Sequence, residues 1–105
     1  MPNYANGKIY TIRCRKDPKL IYVGSTTVSL SKRWCNHKYD YRNGLNLSFH
    51  KYIEDINDWY IELYEECPCK NNEELTRREG QIMRDIATLN KNSSNYYLDA
   101  PPNLK

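Results

Sequence analysis

The chain has 105 residues, 39% hydrophobic and 28% charged, enough for one modest core and too few for two. Mean hydropathy is −0.92, and no stretch approaches the roughly 20 apolar residues of a membrane helix. The formal charge of +3 hides an asymmetry, because residues 1–51 carry ten Lys or Arg against Asp17 and Asp40, while residues 52–105 carry eleven acidic groups against six basic ones. A half this basic, with tyrosines interleaved, suits a polyanion, although a solvated basic surface would look the same by charge alone.

No apolar run of a signal peptide opens the chain, which points to an intracellular protein of cytoplasm or nucleus rather than a secreted one. Residues 8–14 (Lys-Ile-Tyr-Thr-Ile-Arg-Cys) are rich in β-branched and aromatic residues and read as a strand, with Tyr10, Ile12 and Cys14 on one face. Arg15 to Lys19 contains Asp17-Pro18 and reads as a turn. Leu20 to Gly24 is the second strand, antiparallel because so short a connection permits nothing else. It carries Tyr22 on the side of Leu20 and Gly24, so a suitable register lets Tyr10 and Tyr22 share a face. Ser25 to Ser29 reads as a polar linker.

A helix follows over Leu30–Arg42, with Ser29 as N-cap and Asn43-Gly44 as its end. Leu30, Trp34, His37 and Tyr41 form one stripe, and Arg33 lies on the side of His37 four residues on. A short second helix is expected over Ser48–Ile56, then a third strand in which Trp59, Ile61 and Leu63 alternate with Tyr60, Glu62 and Tyr64. The cysteines are Cys14, Cys35, Cys67 and Cys69, one C-x-C and two singles. That falls short of the paired motifs of a zinc site, and reduced, structural thiols are the expectation.

The third helix, from Asn72 or Glu73 to Leu89, carries Leu75, Ile82, Ile86 and Leu89 as its apolar stripe. The position that completes the stripe is Glu79. An ionised carboxylate there costs several kcal/mol to bury unless a cation or metal meets it. Beside it Gly80 costs about 1 kcal/mol relative to Ala inside a helix. Two breaches of helix rules at one spot mark function more often than accident. The plainer alternative is an ion pair with Arg33 or Arg78.

With these residues assembled, the chain resembles the GIY-YIG nuclease domain family over residues 7–90. Lys8-Ile9-Tyr10 matches the first motif and Tyr22-Val23-Gly24 the second, with Gly7 one position before the family's first glycine. Arg33 and His37 match the first-helix arginine and histidine, Glu79 the metal-binding glutamate, and Asn90 the asparagine that usually follows. The resemblance implies an α+β fold, a small three-stranded antiparallel sheet flanked by three helices in the order β-β-α-α-β-α. The domain spans 1–90, and 91–105 is a tail packed back or partly disordered.

The function so implied is a Mg²⁺-dependent DNA endonuclease or nickase, with Mn²⁺ as a substitute cation. Its catalytic set is Tyr10, Tyr22, Arg33, His37, Glu79 and Asn90. Glu79 is the metal ligand, and Lys8, Ser25, Thr26, Lys32, Lys38 and Arg42 are candidate substrate contacts. One carboxylate suits Mg²⁺, which keeps most of its waters, and Arg33 can fork onto a phosphate. A tyrosine base is only about one part in a thousand ionised at pH 7 unless cations lower its pKa, so His37 stands beside Tyr10 as partner or substitute. The alternatives are an inactive DNA-binding module, or a nuclease subunit targeted by a partner protein or by homodimerisation. Only 15 residues follow Asn90, too few for a recognition domain, so weak sequence preference and strong salt dependence are expected.

Overall fold

A computed structural model describes residues 3–44 and 52–89. Strands β1 (Lys8–Cys14), β2 (Ile21–Thr26) and β3 (Trp59–Glu66) form an antiparallel sheet in the order β2-β1-β3. Helix α1 (Leu30–Arg42) packs on one face and α2 (Asn72–Ile86) on the other. Strand alternation sorts the core. Ile9, Ile21 and Val23 join Leu75, Ile82, Met83 and Ala87 on the α2 side, whereas Tyr10, Ile12, Tyr22, Trp59 and Ile61 meet Leu30, Trp34 and Tyr41 of α1. The central strand is covered on both faces, and Ile9 through Ile12 are all fully buried. Among the described residues no helix is long and apolar enough to cross a membrane.

The α+β class, the three-stranded antiparallel sheet and the flanking helices agree with the sequence reading. Helix α1 has the expected ends: the Ser29 hydroxyl accepts from the Lys32 N–H at 3.2 Å, and Gly44 takes φ 72° just past the Asn43 cap. Several boundaries differ. Strand β2 begins at Ile21, because Leu20 N–H is held in the turn by the Asp17 carbonyl, and it continues through Ser25 and Thr26, which pair with Ile9 and Lys8. Strand β3 runs on to Glu66 with a bulge opposite Ile9 and Tyr10.

Helix α2 stops at Ile86 rather than Leu89. The reason is a long-range clamp: Thr88 Oγ1 accepts from Ile21 N–H at 2.8 Å, and the Thr88 and Leu89 N–H groups both donate to the Ile21 carbonyl. Of the second helix expected over Ser48–Ile56, residues 48–51 lie outside the described residues, as do Asn90 and the tail 91–105. Ile53 to Asp55 are not helical, and Ile56–Asp58 forms a 3-10 turn capped by the Asp55 side chain.

Gly7 closes the 3-10 turn Tyr4–Asn6 that leads into β1. A Cβ at Gly7 would overlap the Cys67 carbonyl and lie 3.1 Å from that of Tyr4. The glycine before the first motif is therefore needed for close backbone approach.

Candidate active site

Register decides whether the two tyrosines meet. Tyr10 pairs with Gly24, and Ile12 with Tyr22, which sets both phenols on the α1 face of the sheet. The glycine opposite Tyr10 is a steric requirement, since a Cβ at Gly24 would overlap the Tyr10 phenol. Above them α1 lowers His37 and Arg33 from adjacent turns. His37 Nε2 lies 2.9 Å from Tyr10 Oη, and Arg33 Nε–H donates to the same oxygen at 3.1 Å. The imidazole is boxed edge-on by the Tyr10 and Tyr22 rings, each with centroids 5.9 Å away, and by Trp34 at 6.4 Å. Tyr10 is 0% and His37 1% exposed.

The polarity of this network follows from its donors. Arg33 can only donate, so Tyr10 Oη accepts from it; Oη and His37 Nε2 share the second hydrogen bond, whose direction follows the tautomer of the imidazole. Burial raises the Tyr10 pKa above its ordinary value, Arg33 opposes that rise, and the charge of Glu79 adds to it. Tyr22 is raised too, by burial first and then by Tyr10 and Glu79. Arg33 loses some basicity to burial, but the two phenols and Asp40 outweigh that and raise it.

Glu79 stands on the opposite helix, near enough for its charge to act on Tyr10 and Tyr22. It is 7% exposed, at the position where the apolar row of α2 is interrupted, with Leu75 one turn before and Ile82 and Met83 after it. The Ser25 hydroxyl donates to its Oε1. Ser25 is reached because β2 extends past Gly24 and alternation turns residue 25 toward α2. Gly80 beside it is buried. Arg78 is not the partner of Glu79; it forks onto both oxygens of Glu65 on β3 at 2.7 Å, pulling the Glu65 pKa down.

The remaining candidates divide. Lys32 and Arg42 are exposed on α1, and Lys38 is half-buried. Lys8 stands at the start of β1 with its Nζ on the Asn6 carbonyl at 2.9 Å. Thr26 is buried and its hydroxyl accepts from Val28 N–H at 3.2 Å, closing the turn after β2. Ser25 is a hydrogen-bond partner of the Glu79 carboxylate. The sequence reading missed this pair because it ended β2 at Gly24; continuing the strand alternation by one residue finds it. Asn90 lies outside the described residues.

At Glu79 a carboxylate and the Ser25 hydroxyl stand together, both oxygen donors. No group of three or more His, Cys, Asp or Glu that could hold a metal occurs among the described residues. This set suits a hard cation that takes its other ligands from water and phosphate, and does not suit zinc.

The family model of the GIY-YIG catalytic domain matches residues 6–97. The chain belongs to that family. Among solved structures it is similar to the catalytic domain of the homing endonuclease I-TevI, with 23% sequence identity and a TM-score of 0.63 over 76% of this chain and 87% of that one. A likeness at that identity speaks for the fold. No curated protein matches the chain.

Proposed function

We propose that this chain is a DNA endonuclease or nickase that depends on Mg²⁺, or Mn²⁺ in its place, and hydrolyses phosphodiester bonds at the Tyr10–His37–Arg33–Glu79 site. The observation that carries the reading is the hydrogen-bonded cluster: a buried phenol accepts from a permanent cation and lies 2.9 Å from an imidazole. Family membership supplies the class of reaction, and the basic half of the chain suits DNA as partner.

In this reading His37 Nε2 takes the Tyr10 proton as Tyr10 Oη receives one from the attacking water. Arg33 stabilises the negative phenol oxygen and the phosphate, and Tyr22 shapes the wall against His37. Glu79 would hold the metal with Ser25 orienting its carboxylate. When bound, that ion supplies charge stabilisation at the phosphate and the leaving oxygen. Lys8, Lys32, Lys38 and Arg42 contribute phosphate contacts, so affinity falls steeply with salt. Asn90 is proposed as the residue that completes the set. Targeting comes from a partner protein or from a second copy of the chain.

A second reading has one observation in its favour. Tyr10 at 0% and His37 at 1% exposure are as buried as core residues, as in a domain that binds DNA without cutting it. Nicking of supercoiled plasmid in Mg²⁺, Mn²⁺, Ca²⁺ or EDTA decides between them, with Glu79→Ala and Arg33→Ala alongside. We expect nicked circles with Mg²⁺ and Mn²⁺ and losses of 10²-fold or more in both variants, on the order expected for removing a charge-stabilising group. Protein that shifts plasmid in a gel yet never nicks it with any of these metals establishes the binding module.

A further inference from the structure

The loop from β3 to α2 contains Cys67-Pro68-Cys69, which the proposed chemistry does not use. Their Sγ atoms lie 3.3 Å apart, and both residues are half-buried at the surface. Their backbones are fixed from outside the loop. Cys67 N–H donates to the Gly7 carbonyl at 2.8 Å and Cys69 N–H to the Tyr4 carbonyl at 2.7 Å, while the ring of Pro68 locks the φ between them. Cys69 Sγ also points back at the Cys67 carbonyl, 3.0 Å away. Two thiols held on a pinned backbone and converging on one side form a preorganised pair. Bonded sulfurs sit about 2.0 Å apart, so closure brings the two Sγ atoms closer by a little over an ångström.

We propose that Cys67 and Cys69 are a redox-active dithiol, closed to a disulfide within the loop by exchange with a low-molecular-weight disulfide. The Cys69 thiolate attacks the small disulfide, forms a mixed disulfide and releases one small thiol. The Cys67 thiolate then attacks the Cys69 sulfur, forms the Cys67–Cys69 bond and releases the second small thiol. Two electrons and two protons leave the protein and reappear in those two thiols. The order has a physical basis, because burial, and then the adjoining Cys69, push the Cys67 thiol up to about 11 and leave it the poorer first nucleophile.

Strain in so short a ring makes the bond readily reducible, the property of a reversible redox site rather than a structural staple. The loop is bonded to the turn that enters β1 and runs directly into Asn71, the N-cap of α2. Its oxidation state therefore bears on both elements that carry Tyr10 and Glu79.

The test equilibrates the whole folded chain in glutathione buffers of graded oxidised-to-reduced ratio, quenches with acid, alkylates, and maps the cysteines by mass spectrometry. The expected product lacks two hydrogens, confined to the peptide holding both cysteines, returns to the dithiol on reduction, and persists in the Cys14→Ser/Cys35→Ser double variant. Cys67→Ser should stop at a glutathione adduct on Cys69, whereas Cys69→Ser should react at Cys67 several-fold more slowly. Circular dichroism checks the fold, and Cys→Ala at the same positions replaces any serine variant that fails it. Glutathione adducts that persist on the wild-type pair without ring closure, bonds only between chains, or no oxidation at ratios that modify the exposed Cys35 would each overturn the proposal.

Discussion

Gly24→Ala joins the fold to the proposed chemistry most directly. Among the described glycines only Gly44 has a positive φ, so Gly24 is not there for backbone freedom. It is there because Tyr10 lies across it: an added Cβ would overlap the phenol Cζ and Oη and stand 2.9 Å from Cε1. Comfortable carbon contacts are about 3.5–4.0 Å, so the ring must retreat by roughly an ångström. Its retreat is blocked, since Oη is held 2.9 Å from His37 and 3.1 Å from Arg33. Overpacking of this kind costs about 1–3 kcal/mol, and losing one phenol hydrogen bond adds about 1 kcal/mol. Urea unfolding should therefore show a loss of about 2–4 kcal/mol from those two terms. A catalytic group misplaced by an ångström costs on the order of 10²-fold, and plasmid nicking by the folded variant should fall by that factor. Wild-type stability together with a wild-type rate would refute the steric argument. Lost stability with an unchanged rate would separate the Tyr10 position from catalysis.

Gly44→Ala is the contrasting case: φ is 72° and a Cβ would meet nothing within 4 Å, so strain of about 1–2 kcal/mol should appear in unfolding curves with no change in nicking. In the proton path both Tyr10→Phe and His37→Ala should cut nicking by about 10²-fold or more, and a Tyr10→Phe enzyme at near full rate would leave His37 as the base acting directly. Alkaline stability follows from burial, which raises the folded pKa of both Tyr10 and Tyr22. Unfolded phenols ionise near 10, so above that pH the unfolded chain releases protons that the folded chain keeps. Stability is then whole below about pH 10 and falls as pH rises toward the folded values, by about 1.4 kcal/mol per pH unit for each phenol. Tyr22→Phe should lower that slope by about one proton, and an unchanged slope measured by urea unfolding at several alkaline pH values would contradict the burial argument.

What the sequence made legible was local. Helix α1 could be read to both ends because its signals are adjacent to it, the Ser29 cap and Asn43-Gly44. Glu79 could be read because a carboxylate breaks an apolar row visible in one dimension. What escaped was decided across the chain. Ser25-Thr26 has the composition of a linker and becomes strand only because Ile9 and Lys8 lie opposite. The end of α2 was hidden for the same reason: its apolar pattern continues to Leu89, but Thr88 is drawn away by Ile21, 67 residues earlier. Met83, fully buried, was passed over because Ile86 and Leu89 had been given its place in the stripe.

The proton on Tyr10 is where sequence reasoning and structure pull furthest apart. Arg33 and a metal ligand beside a tyrosine suggest a lowered pKa, because in one dimension only the charges are visible. In three dimensions burial is the first influence, and it raises the pKa; Arg33 opposes it, and the charge of Glu79 works on the same side as burial. The balance of burial and charge in this structure therefore favours the protonated phenol. On the proposed reading a basic role for Tyr10 needs somewhere for its proton to go, and His37 Nε2 lies 2.9 Å away. On that reading the choice between tyrosine and histidine becomes a coupled pair. In it Tyr10 Oη would become basic as its proton passes to His37, with Arg33 compensating the charge left behind.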